Sequence, residues 1–227
     1  MIDDALAALR DGKFILLYDF DDRERETDFA VCADAVTPRH VVRMRKDGGG
    51  LICTAVHPVA AERLGLPFAS EALQNTLLSE RPGEIPYDRK NHSSFSLWVN
   101  HRNTFTGITD RDRSLTITAI ADQVRRSMNG GGASFADEFR TPGHVALLRA
   151  AKGLLSQRHG QTELSIALAL MAGVTPASAI CEMLDDDTGL ALDKEKAKVY
   201  GKRHGLVFVE GSEVTAEWER REKQGLI

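Results

Sequence analysis

The 227-residue chain has little cysteine and few aromatic residues. Its three cysteines, Cys32, Cys53 and Cys181, lie far apart, and aromatic side chains make up only 6% of the sequence. No two cysteines have the spacing of a metal-binding pair, and an odd number in apolar or small-residue settings does not suggest a disulfide framework. We therefore predict that the three thiols are reduced core residues of a cytoplasmic protein.

The sequence also lacks a basic excess, a long apolar run and a signal sequence. Its net charge is −4 and its pI is about 6.0, whereas a general nucleic-acid binder needs a basic face to neutralise phosphates. Its longest apolar stretch, residues 166–174, is far too short to cross a bilayer. The first residues have neither the basic nor the apolar region of a signal peptide. We expect no nucleic-acid partner and no membrane partner.

Apolar runs and helix periodicities alternate along the chain without a repeat or a linker. The runs predict buried strands at residues 14–18, 29–35, 51–56, 94–99, 144–148, 179–184 and 207–209. Caps and spacing predict helices at residues 3–10, 38–47, 58–64, 115–126, 163–171, 194–204 and 214–223. A turn is predicted at residues 141–143, and loops at 81–86 and 129–132. The alternation predicts one α/β or α+β domain over residues 1–227, with no second enzyme domain.

The most informative segment is the acidic loop, residues 19–28, which follows the first predicted strand. It holds six acids and two arginines within ten residues. Carboxylates at a strand end can hold a divalent cation, and arginines can bind an anionic substrate. The alternative is a solvated turn whose charges neutralise one another.

Two other segments place reactive side chains on loops. Residues 104–113 set hydroxyls, a glycine and arginines before a helix, where backbone amides can bind a phosphate. A charged loop with an ordinary helix cap is the alternative. His144 follows a tight predicted turn and can exchange protons near neutral pH, although a lone histidine is more often structural.

The clearest predicted helix and a nearby strand add further candidates. Thr162 is a candidate N-cap that would face an anion together with Arg158, and Glu163 would support the first turn whether or not a ligand binds. Glu182 lies in an otherwise apolar strand, where a carboxylate is costly unless it is paired or functional. Glu182 is therefore a candidate general acid or base.

Taken together, these segments resemble the 3,4-dihydroxy-2-butanone 4-phosphate synthase family in its stand-alone, archaeal-like form. The matching segments are residues 22–28 (DRERETD), 49–53 (GGLIC), 106–107 with 112–113, 141–145 (TPGHV), and 158–163 (RHGQTE) followed by 181–182. They occur in family order and at roughly family spacing. Each motif is weak alone, but five in order are specific, and the resemblance runs over about residues 10–210.

The resemblance implies a Mg²⁺-dependent lyase, with Mn²⁺ as a second candidate metal. Such an enzyme converts D-ribulose 5-phosphate into L-3,4-dihydroxy-2-butanone 4-phosphate and formate in riboflavin biosynthesis. The implied steps are proton abstraction to an enediol, loss of a hydroxyl, a skeletal rearrangement and expulsion of one carbon as formate. The resemblance also implies a homodimer and an α+β fold, a single-domain α/β sandwich with a mixed sheet.

By the same resemblance, each candidate residue has an implied role. The implied metal ligands are Glu24 and Gln161. The implied substrate contacts are Arg23, Asp28, Cys53, Thr106, Arg158, Thr162 and Glu182. The implied catalytic groups are Glu24, Asp28, His144 and Glu182, where His144 is a candidate for supply across a dimer interface. Glu26 is a second acid that would tune the metal site or ligate the metal through water.

One position departs from the family pattern. The family's second metal ligand is usually the histidine of a Gly-His-Thr-Glu run, and this chain has glutamine at position 161. A glutamine offers Mg²⁺ a carbonyl oxygen but cannot act as an acid or base. Three outcomes stay open: Gln161 replaces the ligand, His159 reaches the metal instead, or the site is impaired. The alternative functions are a non-catalytic sugar-phosphate-binding relative and, from a different class, a nucleotide- or RNA-binding module.

Overall fold

The computed structural model describes residues 2–78, 84–131 and 134–227. The helices in these residues are α1 (Ile2–Arg10), α2 (Pro38–Asp47), α3 (Pro58–Arg63), α4 (Ala69–Ala72), α5 (Asp110–Met128), α6 (Phe135–Glu138), α7 (Gln161–Ala172), α8 (Lys194–His204) and α9 (Gly211–Lys223). The strands are β1 (Ile15–Tyr18), β2 (Thr27–Cys32), β3 (Cys53–Val56), β4 (Phe95–His101), β5 (Phe139–Arg149), β6 (Ala177–Glu182) and β7 (Val207–Glu210).

These strands form one mixed sheet in the order β4-β5-β3-β6-β2-β1-β7. β3 runs parallel to β5 and β1 runs parallel to β7, whereas the other neighbouring strands are antiparallel. The central strands β2, β3 and β6 are buried almost throughout and consist mainly of small and apolar residues. Such strands are typical of a sheet with helices on both faces.

Helices cover both faces of the sheet and enclose two hydrophobic layers. On one face, α2 and α5 bury Met44 and Ile117 against the strands. On the other face, α1, α7 and α9 bury Leu6, Leu164 and Trp218. The prediction of an α+β fold with a mixed sheet is confirmed. In the part of the chain that the structure describes, no helix is both long enough and apolar enough to cross a membrane.

Three predicted helix starts are wrong because the chain caps these helices elsewhere. α5 begins at Asp110 and not at residue 115, since Thr109 Oγ1 accepts a hydrogen bond from the Asp112 N–H (3.1 Å). Ser114, which would be the cap of a helix that starts at residue 115, lies inside the helix. α7 begins at Gln161 after the N-cap Gly160, so Thr162 is the second helical residue and not the cap. α9 begins at Gly211 and not at residue 214, since the Glu213 side chain accepts a hydrogen bond from the Glu210 N–H (3.0 Å).

The turn predicted at residues 141–143 lies inside β5, where it forms a bulge. Arg140 pairs with Asn100, whereas Val145 pairs with the neighbouring Val99. Residues 141–144 are therefore looped out of the ladder between these two pairs. The turn-forming residues mark a bulge, and the strand begins at Phe139 and not at His144.

The other differences between predicted and observed elements are small, and some predicted loops include residues outside the described ranges. Residues 33–35, predicted as the end of a strand, form a short 3₁₀ helix after β2. The loops predicted at 81–86 and 129–132 include positions outside the described residues.

The bulge leads to a stability prediction at Gly143. A Cβ at this position would lie 2.0 Å from the carbonyl carbon of Val99 and 2.3 Å from the Asn100 nitrogen. Gly143→Ala should therefore force β4 and β5 apart and destabilise the protein by at least about 2 kcal/mol in urea unfolding. Thr141→Ala is the control, because it removes only one exposed hydrogen bond from the same bulge. Equal stability of the two variants would contradict the close approach.

Candidate active site

A cleft opens where β2, β3 and β6 meet the N-terminus of α7. It encloses about 180 Å³. The residues that line it are Glu24, Glu26, Asp28, Cys53, Tyr87, Ser93, Ser94, Phe95, Leu148, Arg158, Gln161, Thr162, Ile180 and Glu182. Most of the residues predicted for the site therefore meet in one place, although they come from four separate segments of the chain.

The acidic loop is organised around a buried carboxylate, that of Asp19. Asp19 is 1% exposed. One of its oxygens accepts a hydrogen bond from the Glu26 N–H (3.0 Å), and the other accepts from the Glu24 N–H (3.0 Å) and Arg23 Nη1 (3.2 Å). The loop is thus built around Asp19, which turns Glu24 and Glu26 toward the cleft. Sequence reasoning assigned Asp19 no role, although its place directly after a buried strand was a usable signal.

Two arginines approach each other beside the start of α7. Arg23 pairs with Glu24 (2.8 Å), and its guanidinium carbon lies over the Tyr87 ring, 5.3 Å from the ring centroid. Arg158 donates a hydrogen bond to Glu163 (2.6 Å). A Cβ on Gly160 would lie 2.1 Å from Arg158 Nη1 and 3.0 Å from Arg23 Nη2, so a side chain there would displace both guanidinium groups.

The same place has the properties of an anion-binding site. The first backbone N–H groups of α7 have no partners within the helix, and the helix dipole favours negative charge at this end. Arg23 Nη2 and Arg158 Nε are buried atoms without a hydrogen-bond partner in the described structure. Thr162 is 3% exposed and lines the cleft on the first turn of the helix. These donors together suit a phosphate group.

The amide of Gln161 has a fixed orientation. Its Nε2 donates to the Leu17 carbonyl (2.9 Å) and to the Glu26 carbonyl (3.0 Å). Its Oε1 is buried and has no hydrogen-bond partner in the described structure. Both amide hydrogens are therefore used to hold the side chain, and the oxygen is left for a ligand in the cleft.

This oxygen and the neighbouring carboxylates fit a hard divalent cation. Across the described residues, no group of three or more His, Cys, Asp or Glu side chains is arranged to hold a metal. Mg²⁺ is commonly bound by one or two protein ligands, with water and substrate oxygens completing the octahedron. Glu24 and Gln161 can supply such a pair. His159 does not line the cleft, because its ring packs against Phe20 (centroids 5.6 Å apart).

Three carboxyl groups in the cleft have raised pKa values. Burial raises the pKa of Asp28, and the Glu182 charge raises it further. Burial also raises the pKa of Glu182, with an added contribution from Glu24. Asp28 and Glu182 are register partners on β2 and β6, so their repulsion is built into the sheet. Burial, then Glu24 and Glu182, raise the pKa of Glu26 to about 7.

The shifted pKa of Glu26 predicts a pH-dependent stability. The folded protein retains this proton up to about pH 7, whereas an unfolded glutamate loses it near its ordinary pKa of about 4.5. The contribution of Glu26 to stability therefore falls as pH rises through this window and is constant above it. Glu26→Gln cannot ionise, so its melting temperature relative to wild type should rise by at least about 2 °C between pH 5 and pH 8 in EDTA.

The exposed Glu71 on α4 provides the control for this measurement. Glu71→Gln should follow the wild-type melting temperature at both pH values. If Glu26→Gln shows no pH-dependent gain over wild type, the carboxyl of Glu26 is not held in its neutral form by its surroundings.

Cys53 lines the cleft as a neutral thiol. It is 2% exposed, and burial, followed by the charge of Glu182, raises its pKa. A thiol in this state is a poor nucleophile. Its position at the start of β3 allows it to contact a bound ligand without forming a covalent bond to it.

Three predicted site residues are not among those that line this cleft: Arg23, Thr106 and His144. Arg23 lies next to the cleft through its ion pair with Glu24. His144 is exposed, and its N–H donates to Asn100 Oδ1 (2.8 Å). Thr106 is also exposed and donates to Asp112. Gly107 approaches Asn100 so closely that a Cβ there would lie 2.1 Å from Asn100 Nδ2. Thr106 and His144 thus belong to a second group of residues around Asn100, at the β4–β5 end of the sheet.

Most of the chain matches a known enzyme family. The family model for 3,4-dihydroxy-2-butanone 4-phosphate synthase matches residues 3–217. The 3,4-dihydroxy-2-butanone 4-phosphate synthase of Methanosarcina mazei is 58% identical over 221 residues, covering 94% of this chain and 89% of that protein. The enzyme of the same name from Archaeoglobus fulgidus is 54% identical over 225 residues, covering 96% of this chain and 94% of that protein.

A solved structure agrees with these sequence matches. A crystal structure of 3,4-dihydroxy-2-butanone 4-phosphate synthase in complex with two magnesium ions superposes with a TM-score of 0.81 at 26% identity, covering 97% of each chain. The fold and cleft define an enzyme whose site joins an anion-binding end to a carboxylate centre. The chain belongs to the 3,4-dihydroxy-2-butanone 4-phosphate synthase family. This membership does not favour the reading as a nucleotide- or RNA-binding module.

Proposed function

We propose that this protein converts D-ribulose 5-phosphate into L-3,4-dihydroxy-2-butanone 4-phosphate and formate, as a Mg²⁺-dependent lyase of riboflavin biosynthesis. The observation that carries the proposal is the junction of a phosphate-type anion site with a cluster of carboxyl groups of raised pKa in one cleft. The reaction needs both, because the substrate carries a phosphate at one end, and the rest of its carbon chain exchanges protons and gives up one carbon as formate.

The phosphate end is formed by Arg23, Arg158 and the first turn of α7. Arg158 presents its guanidinium from a buried ion pair with Glu163. The Thr162 side chain and the nearby backbone N–H groups add donors on the same side of the cleft. Fixed donors of this kind orient the sugar chain so that its carbonyl end reaches the carboxyl groups.

The proton-moving end is formed by Asp28 and Glu182. Because both pKa values are raised by burial and by nearby charge, one carboxyl can keep its proton while another acts as a base. A carboxylate close to a carbon next to the carbonyl can abstract its proton to give an enediol, and a neighbouring neutral carboxyl can protonate the departing hydroxyl.

Glu24 and Gln161 would hold the divalent cation. Mg²⁺ is the expected ion and Mn²⁺ the second candidate, since both prefer oxygen ligands. When bound, the ion polarises the substrate carbonyl and stabilises negative charge on oxygen. Glu26 would tune this site or contact the ion through water.

A second copy of the chain would complete the site. Thr106 and His144 lie outside the cleft of their own chain. Asn100 forms hydrogen bonds with His144 and packs against Gly107, which directly follows Thr106. We infer that a cytoplasmic homodimer brings this group to the partner's cleft, where His144 would exchange protons with the substrate. Asn100 would keep its ring in place.

Formate release from D-ribulose 5-phosphate tests the proposed function. Formate should appear with Mg²⁺ and disappear with EDTA, and adding Mg²⁺ back should restore it. Mn²⁺ should support the reaction as well. His159→Gln is the matched control, because this histidine lies outside the cleft and the variant should release formate at the wild-type rate.

The negative results are also distinguishable. If no formate forms while ribulose 5-phosphate still raises the melting temperature, the protein binds the sugar phosphate without turning it over. If there is neither formate nor binding, the proposed substrate is wrong.

A further inference from the structure

Gln161 Oε1, which has no hydrogen-bond partner in the described structure, influences which metal the site binds. We propose that Gln161, held by the Leu17 and Glu26 carbonyls, makes the metal centre all-oxygen and thereby biases it against borderline metals such as Zn²⁺ and Ni²⁺. The inference rests on the proposed function only in taking the cleft to be a metal site. It concerns the selectivity of that site, which the reaction itself does not determine.

The orientation of the amide follows from its surroundings. Nε2 faces two backbone carbonyls at 2.9 and 3.0 Å, one at β1 and one in the acidic loop. Rotating the amide by half a turn would place Oε1 against both carbonyl oxygens and would lose both hydrogen bonds. The oxygen must therefore face the cleft.

The unmet hydrogen-bonding capacity of this oxygen supports a ligand role. Gln161 is 6% exposed, and its Oε1 is among the buried atoms without a partner in the described structure. Leaving a buried acceptor unpaired costs stability, because the acceptor has lost its hydrogen bonds to water and gained none in return. A cation in the cleft would remove that cost.

The other polar groups of the cleft point to the same chemistry. None of the described residues that line it is a histidine. The acids Glu24, Glu26, Asp28 and Glu182 offer oxygen, and Cys53 is a buried thiol beside these acids. Carboxylate and carbonyl oxygens suit Mg²⁺ and Mn²⁺, whereas imidazole and thiolate favour Zn²⁺ and Ni²⁺.

Metal competition measures the proposed bias directly. Mn²⁺ binding to the protein without substrate is followed by electron paramagnetic resonance, and Mg²⁺, Zn²⁺ or Ni²⁺ is added as competitor. Gln161→His should raise the affinity for Zn²⁺ and Ni²⁺ relative to Mg²⁺ by at least about tenfold. His159→Gln, the control, should leave these ratios unchanged. An unchanged ratio in Gln161→His would overturn the proposal.

A spectroscopic signature of the wild-type protein gives a second test, and its wild-type result does not depend on whether the variant folds. Pulsed electron paramagnetic resonance of bound Mn²⁺ should show no directly coordinated imidazole nitrogen in the wild-type protein. It should show one in Gln161→His. A coordinated imidazole in wild type would overturn the proposal.

Formate release, measured separately, distinguishes failure of the inference from failure of the function. Formate with Mg²⁺ but no metal bias would reject the inference alone. Metal bias without formate would reject the proposed reaction and support the ligand assignment.

Discussion

Replacing Glu163 with alanine should destabilise the protein by about 3–5 kcal/mol, because a buried ion pair then loses one partner. Glu163 is fully buried, and its two oxygens accept hydrogen bonds from the Ala151 N–H (2.8 Å) and Arg158 Nη1 (2.6 Å). The Arg158 side chain is only 9% exposed. Asp88, at 3.6 Å from Arg158 Nε, is too far away to replace the lost hydrogen bond.

Urea unfolding of a double-mutant cycle tests this pair. Arg158→Leu combined with Glu163→Leu should cost less than the sum of the two single changes, because no unpaired charge stays buried. Glu219→Ala is the control; it removes an exposed ion pair with Lys223 and should cost less than about 1 kcal/mol. A loss below 1 kcal/mol for Glu163→Ala would contradict the ion pair.

The same pair should also affect substrate binding. Glu163→Gln keeps the size of the side chain but loses the charge that holds Arg158. We expect the KM for ribulose 5-phosphate to rise by about tenfold or more, equivalent to 1.4 kcal/mol, with a smaller change in kcat. A change in kcat alone would mean that Glu163 does not act through the phosphate site.

Much of the fold could be predicted because local signals agree with the tertiary structure. α2 has a cap, a proline at its first position and a glycine just after its end, and its predicted limits match. α8 likewise matches from Lys194 to His204. The signals failed where partners lie elsewhere in the chain, as in the β5 bulge, where residues 141–144 are looped out because Arg140 and Val145 pair with adjacent residues of β4.

The candidate site shows the same contrast: roles that depend on local sequence could be predicted, and roles that depend on tertiary packing could not. Glu182 could be singled out because an acid in an apolar strand is unusual at the level of sequence alone. The role of Glu163 could not, since its partner Arg158 and the Ala151 N–H are brought to it by the packing of the α7 end. Sequence spacing also cannot show that the Gln161 amide is held by Leu17, which is 144 residues away.

The exposed positions of Thr106 and His144 illustrate a third kind of limit. The family resemblance implies a role in the site for both residues. In a single chain, neither of them lines the cleft. The implied role and the observed position agree if the active enzyme is a homodimer in which these residues reach the cleft of the partner, as proposed above.

The largest expected effect on turnover comes from Glu182. Glu182→Gln should lower kcat for formate release by about 10³-fold, within the usual range for losing a general acid or base. The variant should still fold, because glutamine fills the same volume without ionising. Since the pKa of Glu182 is raised in the folded protein, removing the charge should make the variant more stable than wild type at pH 8.

Two comparisons make the result specific to proton transfer. Glu24→Ala should also abolish formate release, but its defect should be relieved in part by high Mg²⁺, since Glu24 is expected to hold the metal. Glu182→Gln should not respond to added Mg²⁺. Glu219→Gln, on the exposed face of α9, should behave as wild type in both assays. A Glu182→Gln protein that keeps a tenth of the wild-type kcat would remove Glu182 from the chemistry. The base would then have to be sought at Asp28, its register partner across β2 and β6.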